Sequence, residues 1–176
     1  MKSMKIKAQV WVETVIYTLI GLSVIGILLG FAVPRINESR DKAVIEQSIS
    51  VLGGIDGKIY EVQGTKWNKR VVDLKISKGK LVIDGINNEI YWIMDSKSRF
   101  SEPGTEIPFG KTMRVLTEKK GDAWSVKLRL PYNIDLKTNG ADSSIELLSA
   151  ATPYSLNVEN IGNNEGGTII VDMSVS

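Results

Sequence analysis

The 176-residue chain contains no cysteine and no histidine. Without cysteine there are no disulfides, no thiol nucleophiles and no Cys/His zinc motifs, so packing alone must hold the fold together. Without histidine the chain lacks the side chain most often used for acid–base catalysis near neutral pH. No phosphate-binding glycine loop is found either. We therefore expect a protein that is not an enzyme and that holds no metal or cofactor.

The positive charge of the chain is concentrated at its beginning. The sequence has 22 lysines and arginines against 20 acidic residues, a net charge of +2. Removal of Lys2, Lys5 and Lys7 leaves 19 basic against 20 acidic residues, or about −1. No basic patch remains that would indicate a nucleic-acid partner.

A long apolar run, Val10 to Val33, follows this basic start and contains one charged residue, Glu13. As a helix it would be roughly 36 Å long at about 1.5 Å per residue, enough to cross a hydrocarbon core of about 30 Å. Its aliphatic and phenylalanine side chains favour insertion by on the order of 4 to 8 kcal/mol. A carboxylate near the end of the span costs less than the roughly 3 kcal/mol of a mid-bilayer charge. The run therefore predicts a membrane span.

Three interpretations of this span remain open. A plain membrane anchor leaves Glu13 unexplained. A cleavable secretory signal could end at Gly30-Phe31-Ala32, but its apolar stretch would exceed the usual 7 to 15 residues. Cleavage after Ala8 would instead create an α-amine at Gln9, four residues from Glu13. Since burying either charge unpaired is costly, the amine of a neighbouring copy could pair with Glu13 and set the stagger between helices.

The string KAQVWVETVIYTL resembles the class III signal peptide of archaeal type IV pilins. The resemblance implies that a membrane prepilin peptidase recognises Lys7, Ala8 and Gln9 and cuts before Gln9. It also implies that an assembly ATPase and a platform protein are partners. The apolar helix would then become the core of the filament, and Glu13 would take part in assembly. Trp11 and Tyr17 depart from the family pattern, because smaller or aliphatic residues are common at those positions.

Two further features mark the first 39 residues. Gly26 and Gly30 have the GxxxG spacing that lets membrane helices approach closely, although glycine is common in such helices in any case. Asn37-Glu38-Ser39 is the single N-x-S/T sequon and a candidate glycosylation site.

After Pro34 a helical periodicity returns, with Ile36, Val44, Ile45, Ile49 and Leu52 able to share one face. We predict a second, amphipathic half of one kinked helix, ended by Gly53-Gly54. The predicted organisation is a leader over residues 1–8, an assembly and transmembrane helix over 9–53, and a head domain over 54–176.

The remaining chain alternates apolar and polar residues with period two. Short alternations recur at 72–76, 124–130, 134–136, 154–158 and 169–175, with turn signals between them. Asn87-Asn88 predicts a hairpin turn. The predicted fold is α+β, with eight to ten short strands in an antiparallel, Ig-like sandwich similar to a type IV pilin head.

Nothing in this head predicts a reactive site. Asp84, Glu89 and Asp95 lack the spacing of a calcium loop. Trp67, Trp92 and Trp124 are expected in the core rather than in a sugar-binding platform. The stretch Ser101 to Gly110, SEPGTEIPFG, is expected to be a surface loop that connects strands.

The sequence therefore predicts a structural subunit of a surface filament used in adhesion. The precursor would lie in the cytoplasmic membrane and the mature chain in an extracellular homopolymer. A membrane-anchored binding module or adhesin that never polymerises is the alternative, and an extracellular enzyme is the least supported class.

The mature N-terminus distinguishes these hypotheses. We expect filaments to contain a chain that begins at Gln9, as read by N-terminal sequencing or intact mass. A chain that begins at Met1 would support the simple anchor, and one that begins at Val33 would support a secreted domain.

Overall fold

The computed structural model describes the backbone of residues 2–176 and the side chains of residues 11–176. The chain divides into two compact units, Met1–Ser39 and Arg40–Ser176, and we call the second the head unit. Among the described residues one helix precedes ten strands, an α+β layout as predicted. The elements are α1 (Lys2–Gln63), β1 (Lys69–Leu74), β2 (Lys80–Asp84), β3 (Glu89–Ser96), β4 (Glu106–Phe109), β5 (Met113–Lys120), β6 (Ala123–Pro131), β7 (Asp135–Thr138), β8 (Ser144–Leu148), β9 (Tyr154–Asn163) and β10 (Ile169–Val175).

Helix α1 is longer than the sequence pattern predicts. It includes Pro34 and ends at Gln63, so the predicted end at Gly53-Gly54 is wrong. Each glycine in a helix interior costs about 1 kcal/mol relative to alanine. Burial of Ile55 and Ile59 offsets this, since a buried aliphatic side chain contributes about 1.5 to 3 kcal/mol and both are fully buried.

A single apolar stripe of α1 forms one wall of the core of the head unit. Its members recur at intervals of three, four and seven residues, which places them on one face of the helix. They are Ile45, Leu52, Ile55, Ile59 and Val62, all fully buried. Ser48 lies among them, and its hydroxyl donates to the carbonyl of Val44 at 2.9 Å. The stripe joins the buried residues of both sheets in one continuous core.

The strands form a four-stranded sheet in the order β1-β9-β10-β7 and a six-stranded sheet in the order β4-β5-β6-β3-β2-β8. All strand pairs are antiparallel except β7 and β10, which are parallel. The expectation of a wholly antiparallel head is therefore wrong at this edge. Period-two alternation reports which face of a strand is buried, and it does not report the direction of the neighbouring strand.

The three head tryptophans occupy different environments. Trp92 is buried in β3, and its indole N–H donates to the carbonyl of Lys78 at 3.0 Å. Trp124 is half-buried in β6, and Trp67 is 65% exposed. The expectation that all three lie in the core is correct for Trp92 and wrong for Trp67.

Two loop predictions have different outcomes. Residues 85–88 connect β2 to β3 as a hairpin, as the pair Asn87-Asn88 predicts, and Asn88 has a φ of 53°. By contrast, the stretch Ser101 to Gly110 is not wholly a loop, because it contains β4, which pairs with β5. Pro108 lies in this edge strand, where a missing backbone donor is tolerated.

Polar contacts attach α1 to the rest of the head unit. Asp41 accepts hydrogen bonds from Lys78 Nζ at 2.5 Å and from the backbone N–H of Lys97 at 2.6 Å. Asp56 accepts from the hydroxyls of Tyr132 at 3.0 Å and Thr112 at 2.9 Å.

Asn160, on β9, binds the C-terminal end of the helix. Its carboxamide donates to the carbonyl of Val62 at 3.0 Å and accepts from the N–H of Gly162 at 2.9 Å. The last carbonyls of a helix have no partner within it, so a buried amide that binds one removes a desolvation cost.

Burial acts to raise the pKa of Asp41, but the hydrogen bonds and positive charges of Lys78 and Lys97 outweigh it, and the pKa lies below its ordinary value of 3.8. The stabilisation from this carboxylate is therefore complete above pH 3.8 and is lost as the pH falls through the lower, folded-state pKa.

We expect Asp41→Asn to destabilise the protein by about 1 to 2 kcal/mol at pH 7, because it loses charged hydrogen bonds. The loss of stability on acidification below about pH 4 should be shallower than in the wild type. Urea unfolding of full-length protein in micelles at several pH values measures both effects.

Asp95→Asn is the matched control, because Asp95 pairs with Lys120 at 3.0 Å where both side chains are more than half exposed. It should change stability little. If Asp41→Asn and the wild type lost stability equally steeply on acidification, the role given to Asp41 would be contradicted.

Candidate functional site

The most exposed apolar surface of the protein lies on α1 between Trp11 and Val33. Every large apolar side chain in this stretch is exposed, from 39% at Val15 to 75% at Phe31. The most apolar 18-residue window of the helix has a mean hydropathy of 2.3, and none of it is buried. By length and composition the helix is able to cross a membrane, as predicted.

The polar side chains within this surface are few, and two of them are satisfied within the helix. The hydroxyl of Thr18 donates to the carbonyl of Thr14 at 2.8 Å, and that of Ser23 donates to the carbonyl of Leu19 at 2.7 Å. Such bonds lower the cost of placing a hydroxyl in an apolar medium.

Glu13 is not satisfied in this way. It is exposed, and it makes no hydrogen bond or ion pair with another described residue. It is also the one ionisable carboxyl or amine between Trp11 and Val33. An apolar environment around this helix would therefore leave one charge that needs a partner other than the residues whose side chains the structure describes.

Gly26 and Gly30 lie one turn apart on the helix, and a methyl group added at either would meet nothing within 4 Å. At about 100° per residue, this pair lies about 100° to 140° around the helix axis from Glu13. The carboxylate and the glycine pair therefore occupy different faces. A neighbouring helix that packs on the glycines need not be the one that pairs with Glu13.

The predicted cleavage junction, Lys7, Ala8 and Gln9, lies outside the residues whose side chains the structure describes, and cleavage there stays a prediction. The sequon at Asn37 lies on the exposed surface of the first unit, close to an ion pair between Arg35 and Glu38 at 3.6 Å. Its use as a glycosylation site also stays a prediction.

The carboxylates singled out in the head serve as ion-pair and turn partners. Glu89 pairs with Arg129 at 3.0 Å and with Lys127 at 3.6 Å. Asp84 accepts from the backbone N–H groups of Ile86 and Asn87, at 3.0 and 3.1 Å. Within the described residues no group of three acidic, histidine or cysteine side chains is placed to hold a metal ion.

Arg129 organises the outer face of the six-stranded sheet. Its guanidinium bridges Glu89 on β3 and Glu106 on β4, the latter at 2.8 Å. The hydrogen bond from Arg129 holds the pKa of Glu106 below its ordinary value. Lys127 adds a cation–π contact 4.0 Å from the ring centre of Tyr91. This arrangement is a cross-strand ion network, and it offers no unpaired acid or base for catalysis.

Trp67 is a feature that the sequence pattern did not reveal. It adopts a left-handed φ of 66°, unusual for a bulky residue, in the turn between α1 and β1. The backbone N–H of Trp67 donates to the backbone carbonyl of Asn160 at 2.7 Å, and Lys66 Nζ lies 5.0 Å from the centre of the indole ring. No sequence signal distinguishes this exposed tryptophan from a core one.

Comparisons with known proteins give no relative for this chain: no protein-family model, no curated protein and no solved structure matches it.

The proposed role of Gly26 and Gly30 in helix packing can be tested by measuring self-association. We expect Gly26→Ile and Gly30→Ile to insert into membranes normally but to weaken association of the full-length protein in micelles, because a larger side chain keeps helices apart. Energy transfer between labelled copies measures the change, which we expect to be about tenfold in dissociation constant. Gly21→Ile is the matched control outside the pair. Equal effects of all three substitutions would exclude a specific glycine contact.

Proposed function

We propose that this protein is a structural subunit of an archaeal type IV pilus-like surface filament, which polymerises through α1 after removal of the first eight residues. The observation that carries the proposal is the apolar surface from Trp11 to Val33, which the described residues leave exposed, together with the lone carboxylate of Glu13. The resemblance of the N-terminal string to class III signal peptides supports the same function.

The energetics favour an environment that excludes water. Exposed side chains of Val, Leu, Ile and Phe each gain about 1.5 to 3 kcal/mol on full burial, so the whole surface is costly in water. Lipid covers it in the precursor, and copies of the same helix cover it in the filament. The precursor is thus a membrane protein, and the mature chain lies in an extracellular filament.

Glu13 makes the passage of the helix from lipid into the filament specific. In the filament its carboxylate pairs with the α-amine that cleavage creates at Gln9 of a neighbouring copy. Before cleavage the amine does not exist at that place, so the pair cannot form. The prepilin peptidase therefore acts before assembly, and the assembly ATPase and platform protein act after it.

The head unit forms the outer part of the filament and is the part that contacts the surroundings of the cell. Its two sheets enclose one core with the stripe of α1, an arrangement that supports a sandwich of the type IV pilin kind. A membrane-anchored head that never polymerises would have the same exposed helix. Glu13 distinguishes the filament subunit from this anchored module, because a simple membrane tether gains nothing from a carboxylate.

We expect Glu13→Ala to be inserted and cleaved before Gln9 but to yield less than about a tenth of the wild-type filament, since the neighbour's amine would be buried unpaired. Sheared filaments quantified by electron microscopy, with N-terminal sequencing of the membrane fraction, separate processing from assembly.

Glu38→Ala is the control, because Glu38 lies on the same helix outside the apolar stretch and forms only an exposed pair with Arg35. It should assemble at wild-type yield. Normal filament yield from Glu13→Ala would refute the role of the carboxylate, and a wild-type chain that is never found in filaments would favour the anchored module.

A further inference from the structure

Four connections of the head unit meet around a polar cavity of about 590 Å³. They are the β2–β3 turn, the β6–β7 connection, the β7–β8 connection and the β9–β10 loop. Lys78 and Lys97, the partners of Asp41, lie at the opposite end of the β2–β3 hairpin. The cavity is thus at the far end of the head unit from Asp41.

The walls of the cavity are fixed by hydrogen bonds. Asn88 accepts from the N–H of Leu136 at 2.8 Å, and its own carbonyl accepts from the N–H of Tyr132 at 2.9 Å. Asn164 accepts from the N–H of Thr168 at 3.0 Å. The two contacts of Asn88 join segments that are distant in sequence, and the contact of Asn164 closes the β9–β10 loop on itself, so these walls are formed before any ligand arrives.

Several polar groups that line the cavity have no partner among the described residues. They are the Nδ2 donor of Asn88, the whole carboxamide of Asn133 and the hydroxyl of Thr168. Together they present donors and acceptors that do not titrate.

The charged groups of the cavity largely satisfy one another. Lys137 pairs with Asp135 at 3.2 Å and also with Asp142. The three charges leave a net of about −1, which disfavours anions. The carboxylates are occupied by the ammonium group, and no metal-binding group is found within the described residues. An ionic ligand of either sign is therefore poorly matched.

Ile86 lies at the rim, where it is 65% exposed, and the lining of the cavity is almost wholly polar. A ligand that suits this cavity is therefore neutral and rich in hydroxyl groups. The volume lies within the usual range of about 300 to 1,000 Å³ for small-ligand sites. Peptides are usually bound along a strand edge or a groove, whereas this site is surrounded by loop ends.

The geometry points to a binding site for neutral carbohydrate at this end of the head unit, with Asn133, Asn88 and Thr168 as the groups that bind sugar hydroxyls. The site belongs to the head unit alone and does not require polymerisation. Adhesion is part of the proposed function, and this site would define neutral carbohydrate as the class of molecule to which the protein adheres.

The test uses full-length protein in micelles of a sugar-free zwitterionic detergent, applied to an array of neutral, sialylated and sulfated oligosaccharides and to a peptide array. We expect binding to neutral glycans. Titration with the best neutral glycan should show affinity about fivefold weaker in Asn133→Ala, because one neutral hydrogen bond is lost. The double variant Asn133→Ala/Thr168→Val should be weaker by at least about twentyfold.

Asn157→Ala is the matched control, because Asn157 is a half-buried strand asparagine outside the cavity. It should bind as the wild type does, with circular dichroism confirming the fold of each variant. Absence of binding to neutral glycans, preference for charged glycans or peptides, or equal affinity in the double variant would each overturn the proposal. Because single chains in micelles are measured, a failure of filament assembly leaves this result unaffected.

Discussion

The burial of one stripe of α1, from Ile45 to Val62, is the contact on which the head unit depends. Its five fully buried side chains meet the inner faces of both sheets. At about 1.5 to 3 kcal/mol each, their burial is comparable with the whole stability of a typical domain, about 5 to 15 kcal/mol. With no disulfide available, this stripe and polar contacts at Asp41, Asp56, Glu61 and Asn160 connect the helix to the rest of the head unit.

The same helix has a different character before residue 34. A one-sided stripe docks on its own domain, whereas a helix that is apolar all round is covered on every side. Residues 11–33 are of the second kind, and no part of their most apolar window is buried within the chain. The change from all-round to one-sided apolarity along a single helix separates the part that the head unit covers from the part that the described residues leave exposed.

Much of this architecture was predictable from the sequence, because periodicity reports burial directly. The alternation at residues 169–175 predicted β10, and the pair Asn87-Asn88 predicted a hairpin. The helix end was not predictable, since two adjacent glycines usually stop a helix and here the burial of Ile55 and Ile59 outweighs them. The parallel pairing of β7 and the left-handed Trp67 depend on tertiary contacts that no local pattern records.

The candidate sites differ in the same way. Glu13 is identifiable from sequence because a single charge in an apolar run is rare and local. The polar cavity is formed by loops that the fold brings together from distant parts of the chain. Asn88 and Thr168 are eighty positions apart. Which amide remains without a partner can be known only once all the hydrogen bonds of these loops have been assigned.

Under the proposed function, the chemistry of the Glu13 contact also determines the kind of assembly. An amine at Gln9 of one copy and a carboxylate on the next are different groups, so the contact is heterologous rather than two-fold symmetric. The two residues are four positions apart, about 6 Å along a helix axis at about 1.5 Å per residue. Each pairing therefore shifts the next copy along the axis as well as around it. A repeated rotation with a shift cannot close into a ring, and it produces an open helical filament.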